Sequence, residues 1–577
     1  MQLDQFTLRI KKAQQSLDTL QVKSNLFVSL RLLNVIAFLL SCYLYTKSPT
    51  SIFGPIAATL VLTFAIEVML HQNIKNSIKM FQLKKKINQE YLNRIDDNWK
   101  KFDDTGQDLA DLDHPYAFDL DIIGKSSLFQ KISICKTFWG RKKLGELLLK
   151  TNKEGIEDRQ KSVYELSKDL DFLVDLQIQL CDKKEVKKDP GKWLNIENIL
   201  IHESKILNIM LKIVPITIIG LLFLGNVFLL YAIILIVINL GLCLIDKNRA
   251  NVALLRNSQY QIEPYLKALS VVFEKEFKSP LLRKKSESAS MAIKSLKELE
   301  KISILASLST QPLFGLPLNG ILMWDLWIVH LCKKWQDKHG KNLKESIYFL
   351  GELEALGSLA TLSIIDKTIF PHVTNTNVIN GQKLGHPLIN ARLRVCNSFY
   401  INDEILIITG SNMSGKTTFL RTIGINLVLS YAGAGTTAKA FCCGHFSIFT
   451  SMRTSDNLGE QTSSFHAEIK RIKIILDAIK AKQPLFFLID EIFRGTNSKD
   501  RINGAIGVLK ALKNYGAIGL ITTHDLEMCK LEEIPGITNY HFEDFFDNQN
   551  MFFDYTLKPG ISTKTNAKHL LEMIGVV

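Results

Sequence analysis

A glycine-rich turn between an apolar run and a helical pattern sets the fold of the C-terminal part of this chain. The turn consists of Gly410, Ser411, Asn412, Met413, Ser414, Gly415, Lys416 and Thr417 and fits the pattern G-x-x-x-x-G-K-[ST]. The β-favouring run 405–409 precedes it, and 418–429 follows with the pattern of a helix. Such a strand, turn and helix N-terminus aim backbone N–H groups at one point and bind phosphate there. We therefore expect an ATP site in which Lys416 reaches the β- and γ-phosphates and Thr417 holds Mg²⁺, with Thr418 beside them.

Two further apolar runs end in side chains suited to this chemistry. The run 485–489 ends in Asp490 and Glu491. Paired carboxylates at a strand end predict that Asp490 supports Mg²⁺ and that Glu491 polarises the attacking water. The run 517–523 ends at His524, which is either an ordinary loop histidine or a partner of the γ-phosphate or the attacking water. Its position beside two other strand ends favours the functional interpretation.

A polar segment, 451–468, leads into a predicted helix with apolar residues on one face. Ser463 and Ser464 stand where this helix begins. They either cap the helix or present its N-terminus to a phosphate, which another subunit could carry. From Phe370 onward, short β-rich runs alternate with helical patterns, which predicts a doubly wound parallel sheet.

Two strongly apolar blocks lie upstream of this region. The first spans 25–70 and is interrupted at 47–51, and the second spans 205–246, without a charged residue from Ile213 to Ile245. Each half holds about 20 residues, the length of a helix that crosses a bilayer. We expect about four transmembrane helices in two hairpins, the second turning at Gly225 and Asn226. The alternative is that they are buried helices of a large α domain.

Charge placement gives the expected orientation. Lysine and arginine residues flank both blocks on the sides away from their internal turns. The positive-inside rule then predicts a multi-pass membrane protein with both termini and the ATPase domain in the cytoplasm. The formal net charge of +14 fits this bias, an anionic membrane surface or a nucleic-acid partner equally well. Nine cysteines without a C-x-x-C pair indicate a reducing compartment for the soluble parts.

These patterns predict a multidomain chain in which an all-α region precedes a C-terminal α/β P-loop ATPase. The expected segments are an N-terminal cytoplasmic segment, a transmembrane hairpin, a helical core, a second hairpin, a helical lever or clamp region and the ATPase domain. Their predicted bounds are 1–24, 25–70, 71–204, 205–246, 247–370 and 371–577.

The turn at 410–417 with its internal Asn412-Met413 resembles the P-loop of the MutS family of DNA mismatch repair ATPases. His386-Pro387 before it, Asp490-Glu491 and Thr523-His524 after it occur in the order found in that family. Further resemblances are Asp456-Asn457-Leu458 with Ser463-Ser464-Phe465, Arg494-Gly495-Thr496 with Asp500, and Gly560, Ser562 and Ile574-Gly575 in the tail. A weaker resemblance to the family's helical core covers Leu120-Asp121, Gly124 and Ser127-Leu128-Phe129.

This resemblance implies an ABC-type ATPase domain, similar to MutS domain V, that works as a homodimer. Ser463, Ser464 and Asp500 would contact the nucleotide at the dimer interface. Lever helices would link the site to a clamp on double-stranded or structured DNA, with ATP and Mg²⁺ as cofactors and mismatch repair as the process. The second apolar block falls where levers and clamp would lie.

The chain also departs from the family pattern. Two predicted membrane helices stand where the family carries its mismatch-recognition domain, and no convincing Phe-x-Glu wedge is found. Ser414 replaces a common glycine, and Ser464 stands where threonine is usual. One alternative is therefore a MutS-like ATP switch that acts on a membrane protein without binding DNA. A transporter with a fused ATPase is a second alternative, disfavoured because few spans are predicted and none carries an array of polar residues.

Overall fold

The computed structural model describes most of the chain, in two compact units. The described residues are 2–48, 52–181, 205–245, 249–256, 259–287, 289–452, 464–480, 484–493, 498–547 and 550–561. The first unit comprises Met1–Trp99 and Asp171–Cys181, and the second comprises Lys100–Leu170 and Asp182–Val577.

The first unit is an antiparallel hairpin of two long helices, α1 (Gln2–Lys47) and α2 (Phe53–Ile95). Four of the five positions described as buried in α1 are separated by multiples of seven residues, namely Phe6, Ala13, Asn34 and Ser41, whereas Ser24 is offset from this spacing. This spacing is that of a coiled-coil seam, which keeps one stripe of a helix against its partner. The seam of α1 therefore follows α2 along most of its length.

Different side chains hold the two ends of this hairpin. Near the chain's start, Phe6 stacks on Tyr91 at 5.4 Å between ring centroids, and Arg9 donates to Asp171 at the start of α6 (Leu170–Leu180). Toward the turn the contacts are polar, and the Asn34 amide donates to the Thr63 hydroxyl over 2.9 Å. Polar pairs of this kind join apolar helices where no water competes for the hydrogen bond.

Both helices of the hairpin are long and apolar enough to cross a bilayer, over Leu3–Lys47 and Phe53–Ile95. They extend well beyond the predicted block 25–70, because buried residues such as Phe6, Ala13, Ile87 and Tyr91 continue the contact away from the turn. A third candidate, Lys344–Ile365, has 83% of its most apolar window buried inside the protein, so it is a core helix. A bent pair, Leu313–Leu322 with Trp324–His339, passes the same test together, and the apolar helices Ile209–Phe223 and Val227–Cys243 are shorter.

The second unit begins with a helical part, as the sequence predicts. Its helices are α3 (Leu128–Ile132), α4 (Phe138–Leu149), α5 (Ile156–Ser167), α7 (Lys205–Phe223), α8 (Asn226–Ile245), α9 (Arg249–Arg256), α10 (Gln259–Phe273), α11 (Pro280–Ser286), α12 (Ala289–Leu308), α13 (Pro312–Leu322) and α14 (Trp324–Ile365). Helices α7 and α8 form the second apolar hairpin, with its turn at Gly225 as predicted.

The longest helix of this unit, α14, crosses α4 at close range. A Cβ added at Gly351 would lie 2.8 Å from the carbonyl carbon of Trp139, so a glycine is required there. One helical turn later, the buried Glu354 carboxylate accepts hydrogen bonds from the backbone N–H of Lys136 (2.6 Å) and of Thr137 (3.2 Å) and from the Thr137 hydroxyl. Because Thr137 caps α4, the carboxylate lies at the positive end of that helix.

The C-terminal part of the second unit contains two sheets. The larger has the order β10-β9-β4-β8-β7-β6 and the smaller the order β1-β5-β2-β3. The strands are β1 (His372–Thr374), β2 (Val378–Leu384), β3 (Asn397–Asn402), β4 (Ile405–Thr409), β5 (Ala440–Gly444), β6 (Ser447–Ser451), β7 (Leu485–Asp490), β8 (Ile518–Thr523), β9 (Ile537–Asp547) and β10 (Asn550–Pro559).

Helices cover both faces of the larger sheet, which confirms the α/β prediction. Strands β4, β6, β7, β8 and β9 pair in parallel, and β10 adds an antiparallel edge. Phe487 and Ile489 of β7 pack against α16 (Ser464–Lys480) and α17 (Ser498–Asn514), whereas Leu488 meets Gly424 of α15 (Lys416–Ala432). Alternate residues of a strand point to opposite faces, so α15 lies opposite α16 and α17. The smaller sheet was not predicted.

Glu354 should make the stability of the helical part depend on pH. Burial raises the pKa of its carboxyl from 4.5 to about 7, against the opposing effect of the hydrogen bonds from Thr137 and Lys136. The folded protein then keeps a proton that the unfolded chain releases between these values. The stability gained from this proton is present below about pH 4.5 and is lost as the pH rises through about 7, by on the order of 3 kcal/mol at most.

The Glu354→Gln variant removes the titration at nearly constant volume. We expect the stability of the wild type relative to this variant, measured by denaturant unfolding, to fall between pH 5 and pH 8. Glu345→Gln, on an exposed position of the same helix, serves as the control and should follow the wild type. A difference between wild type and Glu354→Gln that stays constant with pH would contradict the role given to this carboxyl.

Candidate nucleotide site

The glycine-rich turn connects β4 to α15 and is shaped by residues with positive φ. Gly410 has φ of +149° and Gly415 has φ of +104°, values that side chains with a Cβ rarely adopt. Met413 has φ of +71° and is 84% exposed at the tip of the turn. A Cβ at Gly410 would also lie 3.0 Å from the Phe542 carbonyl oxygen of β9. The turn therefore lies tightly against the neighbouring strand, with its N–H groups ahead of α15.

Lys416 is nearly buried beneath this turn. Its ammonium group donates to the carbonyl oxygens of Gly410 and Ser411, both at 2.8 Å, and lies 3.4 Å from Nε2 of His524. The charge is thus held inside the loop that would surround a phosphate, as the sequence predicts for this lysine.

Thr417 and Asp490 supply the oxygen atoms expected at a magnesium site. The Thr417 hydroxyl donates to Oδ2 of Asp490 over 2.9 Å, and the Thr522 hydroxyl donates to Oδ1 over 2.6 Å. Hydroxyl and carboxylate oxygens suit Mg²⁺, which usually keeps several waters and binds nucleotide phosphates as well. The Thr417 hydroxyl and the Asp490 carboxylate therefore fit a Mg²⁺ ion that nucleotide phosphates also coordinate.

Glu491 and His524 meet at the ends of β7 and β8. Nε2 of His524 lies 2.5 Å from the Glu491 carboxylate and 2.8 Å from Oδ1 of Asn412 in the glycine-rich turn. Glu491 has φ of +56°, a strained backbone conformation for a residue with a side chain. Its N–H is held by the carbonyl oxygen and the hydroxyl of Thr522, both at 3.2 Å. The predicted base and the predicted sensor therefore touch each other and the phosphate-binding turn.

A cavity of about 700 Å³ opens beside these groups. Its polar lining includes Asp490, Glu491 and the turn from Ser411 to Thr418. Its apolar and aromatic lining consists of Leu384, Ile389, Leu393, Val395, Phe542 and Tyr555. A pocket that combines phosphate-binding groups with aromatic side chains suits a nucleoside phosphate.

Tyr555 reaches the cavity from an irregular part of β10. The pairing of β9 with β10 shifts register between Phe553 and Leu557. Asn397 of β3 holds this irregularity by donating to the Tyr555 carbonyl oxygen over 3.0 Å and accepting from the Leu557 N–H over 2.8 Å. The Tyr555 ring then lies against Gly415, where an added Cβ would be 3.1 Å from it.

His386, at the edge of the cavity, is buried and uncharged. Burial, followed by the nearby charges of Arg421, Lys131 and Arg394, lowers its pKa to about 3. Its Nδ1 accepts a hydrogen bond from the Leu388 N–H at 3.2 Å. His386 thus contributes a neutral imidazole that fixes the local turn.

The remaining predicted site residues are only partly described. Ser463 lies outside the described residues, as do Arg494, Gly495, Thr496 and Ser562. Ser464 is the first residue of α16 and Asp500 lies in the first turn of α17, but only their backbone placement is described. Their role at a dimer interface therefore stays a prediction.

A segment of the helical part, residues 115–124, contacts three elements next to the nucleotide site: the helix α15, the end of β6 and the helix α16. Asp119 is buried, and its Oδ2 accepts from the Thr450 hydroxyl (2.7 Å), the Met452 N–H (3.1 Å) and the Arg471 guanidinium (2.8 Å). Two residues later, Asp121 accepts from Arg421 of α15 over 3.0 Å. One short segment thus contacts the helix behind the phosphate-binding turn and the end of β6.

Comparison with known proteins agrees with this geometry. Residues 406–576 match the family model of MutS domain V. The C-terminal part of the chain therefore contains a region similar to MutS domain V.

Similar proteins carry the same resemblance over this part of the chain. The DNA mismatch repair protein MutS of Methanococcoides burtonii is 27% identical over 251 residues, covering 41% of this chain and 28% of that protein. MutS of Persephonella marina is 30% identical over 247 residues, covering 42% and 28%. Human MutS protein homolog 4 is 31% identical over 229 residues, covering 37% and 24%. The chain thus spans about a quarter of the length of these relatives.

Several residues of the C-terminal part that shape the cavity carry no motif in the sequence. Tyr555, Phe542 and Asn397 come from β10, β9 and β3, which reach the site through pairing across the sheets. Asp544 of β9 likewise accepts a hydrogen bond from the Ser411 hydroxyl at 2.7 Å. In the sequence, only the many aromatic residues of 540–555 could have drawn attention to this segment. They do not indicate the shift in strand register that brings Tyr555 to the cavity.

Tyr555→Ala should weaken the binding of ATP and ADP. Loss of one aromatic contact to a base costs about 1–3 kcal/mol, so we expect dissociation constants to rise by roughly 5- to 150-fold. The affinity for inorganic tripolyphosphate should stay unchanged, because the phosphate-binding turn is intact. Competition against a fluorescent nucleotide measures both values.

Tyr555→Phe should retain nucleotide affinity, since the ring remains. Tyr515→Ala, at an exposed position after α17, is the matched control. An equal loss of ATP and tripolyphosphate affinity in Tyr555→Ala would show that the ring supports the turn instead of a base.

Proposed function

We propose that this chain is a membrane-anchored MutS-type ATPase that uses ATP binding and hydrolysis as a conformational switch. The observation that carries the proposal is that Lys416, Thr417, Asp490 and Glu491 line one cavity in the region that matches domain V, with His524 in contact with Lys416 and Glu491. Membrane anchoring is supported by the length and the exposed apolar residues of α1 and α2. The orientation predicted from flanking charges keeps the ATPase domain and both termini in the cytoplasm.

Each side chain has a defined role in this proposal. Lys416 neutralises the β- and γ-phosphates, and Thr417 with Asp490 holds Mg²⁺, which stabilises charge on the phosphates when bound. Glu491 orients the attacking water and takes its proton. His524 senses the γ-phosphate and, in the contact described here, also holds Glu491 at 2.5 Å. Release of Glu491 from His524 would free the carboxylate for the water.

The proposed switch works as a homodimer through the ATPase domain. By the family resemblance, Ser463 and Ser464 of one subunit, with Asp500, would lie beside the nucleotide of the other. Placement of Ser464 at the N-terminus of the 17-residue helix α16 supports this role, since a helix N-terminus favours a phosphate. Dimerisation would then complete the site and gate hydrolysis.

Two targets of the switch are proposed. Resemblance to mismatch repair proteins favours double-stranded or structured DNA held by a lever-borne clamp. The position of the apolar hairpin α7–α8 within the helical part favours a second candidate, in which the switch acts on a membrane partner without binding DNA.

Glu491→Gln should separate ATP binding from hydrolysis. The amide keeps the size of the side chain but cannot accept the proton of the water, so we expect turnover to fall by about 10²-fold or more with ATP affinity within a few-fold of wild type. Phosphate release and equilibrium nucleotide binding are the two measurements. The control is Glu533→Gln, since Glu533 is exposed at the end of the short helix Leu526–Glu533 that follows β8. Wild-type turnover in Glu491→Gln would refute the role assigned to Glu491.

A salt series distinguishes the two proposed targets. Neutralisation of DNA phosphates releases counterions, so a DNA clamp should lose affinity steeply as salt rises, by about 10³-fold or more between 50 and 200 mM. Detergent-solubilised protein would be tested on intact, mismatched and branched duplexes with and without ATP. Steep, ATP-dependent binding supports the DNA form of the proposal. Absence of binding at low salt, with ATPase activity retained, supports the membrane-partner form.

A further inference from the structure

Helix α13 is a third apolar helix that packs against the hairpin α7–α8. The Asn239 amide of α8 donates to the Gly320 carbonyl oxygen of α13 over 2.8 Å. A Cβ added at Gly320 would lie 2.8 Å from Cγ2 of Ile236, so the two helices approach closely at this glycine. The three helices therefore form one packed group, which we name the apolar foot.

A partly buried polar cluster lies at one end of the apolar foot. Asp325, at the start of α14, accepts hydrogen bonds from Arg256 (2.7 Å), Ser309 (2.8 Å) and Asn319 (3.2 Å). Met323 just before it has φ of +51°, and the chain bends by 74° between α13 and α14. The charged groups at this end are paired with each other, and the rest of α13 is left apolar.

The outward side chains of the apolar foot are not covered by any of the residues that the structure describes in the second unit. Helix α13 contains no charged residue, and Leu313, Phe314 and Leu316 are 85%, 55% and 65% exposed. On α7 and α8, Ile216 and Val237 are likewise 72% and 62% exposed. Apolar surface of this extent marks an interaction site and does not persist in water.

We propose that α13 enters the bilayer together with α7 and α8, so that lipid acyl chains cover Leu313, Phe314 and Leu316. This inference rests on the membrane anchoring proposed above and extends it to a segment that was not predicted to contact lipid. The partner is lipid because the 20 residues of α8 span about 30 Å, the thickness of a hydrocarbon core, without a charge. Asn239 finds its partner inside the foot, as a polar group in hydrocarbon must.

Helix α13 is too short to span the bilayer. Its 11 residues cover about 16 Å. Gly320 meets α8 at residues 236 and 240, which lie roughly 8–14 Å along the helix from its end at Ile245. This depth is close to that of an interfacial helix, about 5–10 Å into the headgroup and acyl boundary. Helix α13 therefore dips into one leaflet and returns through the bend at Met323.

Photo-crosslinking of the full-length wild-type chain tests this placement. The protein is reconstituted in phosphatidylcholine vesicles that contain a phosphatidylcholine with a diazirine on its acyl chain, and adducts are located by mass spectrometry. We expect adducts on α13 as well as on α7 and α8. Adducts on α7 and α8 without any on a detected α13 peptide would overturn the inference and leave membrane anchoring intact. No adduct on any of the three helices would overturn both this inference and the insertion of the second hairpin.

Cysteine accessibility in the same vesicles gives an independent measurement. Reaction of Leu313→Cys with a water-soluble maleimide should be at least 10-fold slower than that of Tyr515→Cys, and as slow as that of Ile216→Cys on α7. Modification is read on the peptide that carries each position, so native cysteines do not interfere. Denaturation in dodecyl sulfate should make all three equally reactive. If Leu313→Cys reacted as fast as Tyr515→Cys while Ile216→Cys stayed protected, the entry of α13 into the bilayer would be refuted and the insertion of α7 would stand.

Discussion

The crossing of α4 and α14 is the constraint on which the arrangement of the helical part depends. Gly351 permits the backbones to meet, and Glu354 then joins the start of α4 through three hydrogen bonds. A buried carboxylate is costly unless its hydrogen bonds are satisfied, so this geometry has little freedom to shift. Because α14 has 42 residues, fixing its angle at Gly351 also fixes where its distant end at Trp324 lies.

The same crossing lies between the nucleotide site and the apolar foot. Pro115–Gly124, shortly before α4, carries Asp119 and Asp121, which contact the end of β6 and the helix α15. At the other end of α14, the bend at Met323 leads into α13. A change at the nucleotide site that moved Asp119 or Asp121 would therefore act on the α4–α14 pair.

Local patterns predicted the parts of this protein that short segments determine. The turn at Gly410–Thr417, the carboxylates after β7 and His524 after β8 each follow from a strand end and its neighbours, and the structure brings them together. The heptad seam of α1 was missed because its buried positions include Asn34 and Ser41, which an apolar pattern does not mark. The hydropathy pattern located the hairpin but predicted its end near residue 70, whereas α2 continues to Ile95. The lysines beyond residue 70 mask the buried positions in that part of the helix.

Contacts between distant segments could not be predicted in the same way. Tyr555 reaches the cavity because Asn397, 158 residues earlier, holds an irregular strand pairing, and no spacing rule encodes that contact. The helical pattern of 251–364 is interrupted in the sequence at Pro312 and Pro317, so α13 could not be recognised as a separate helix. Pro312 stands in its first turn, where proline lacks no needed hydrogen bond, and Gly320 gives the close approach to α8 that fixes the helix in place. Pro312 is therefore compatible with a helix at this place, and Gly320 lets the apolar surface of α13 meet α8.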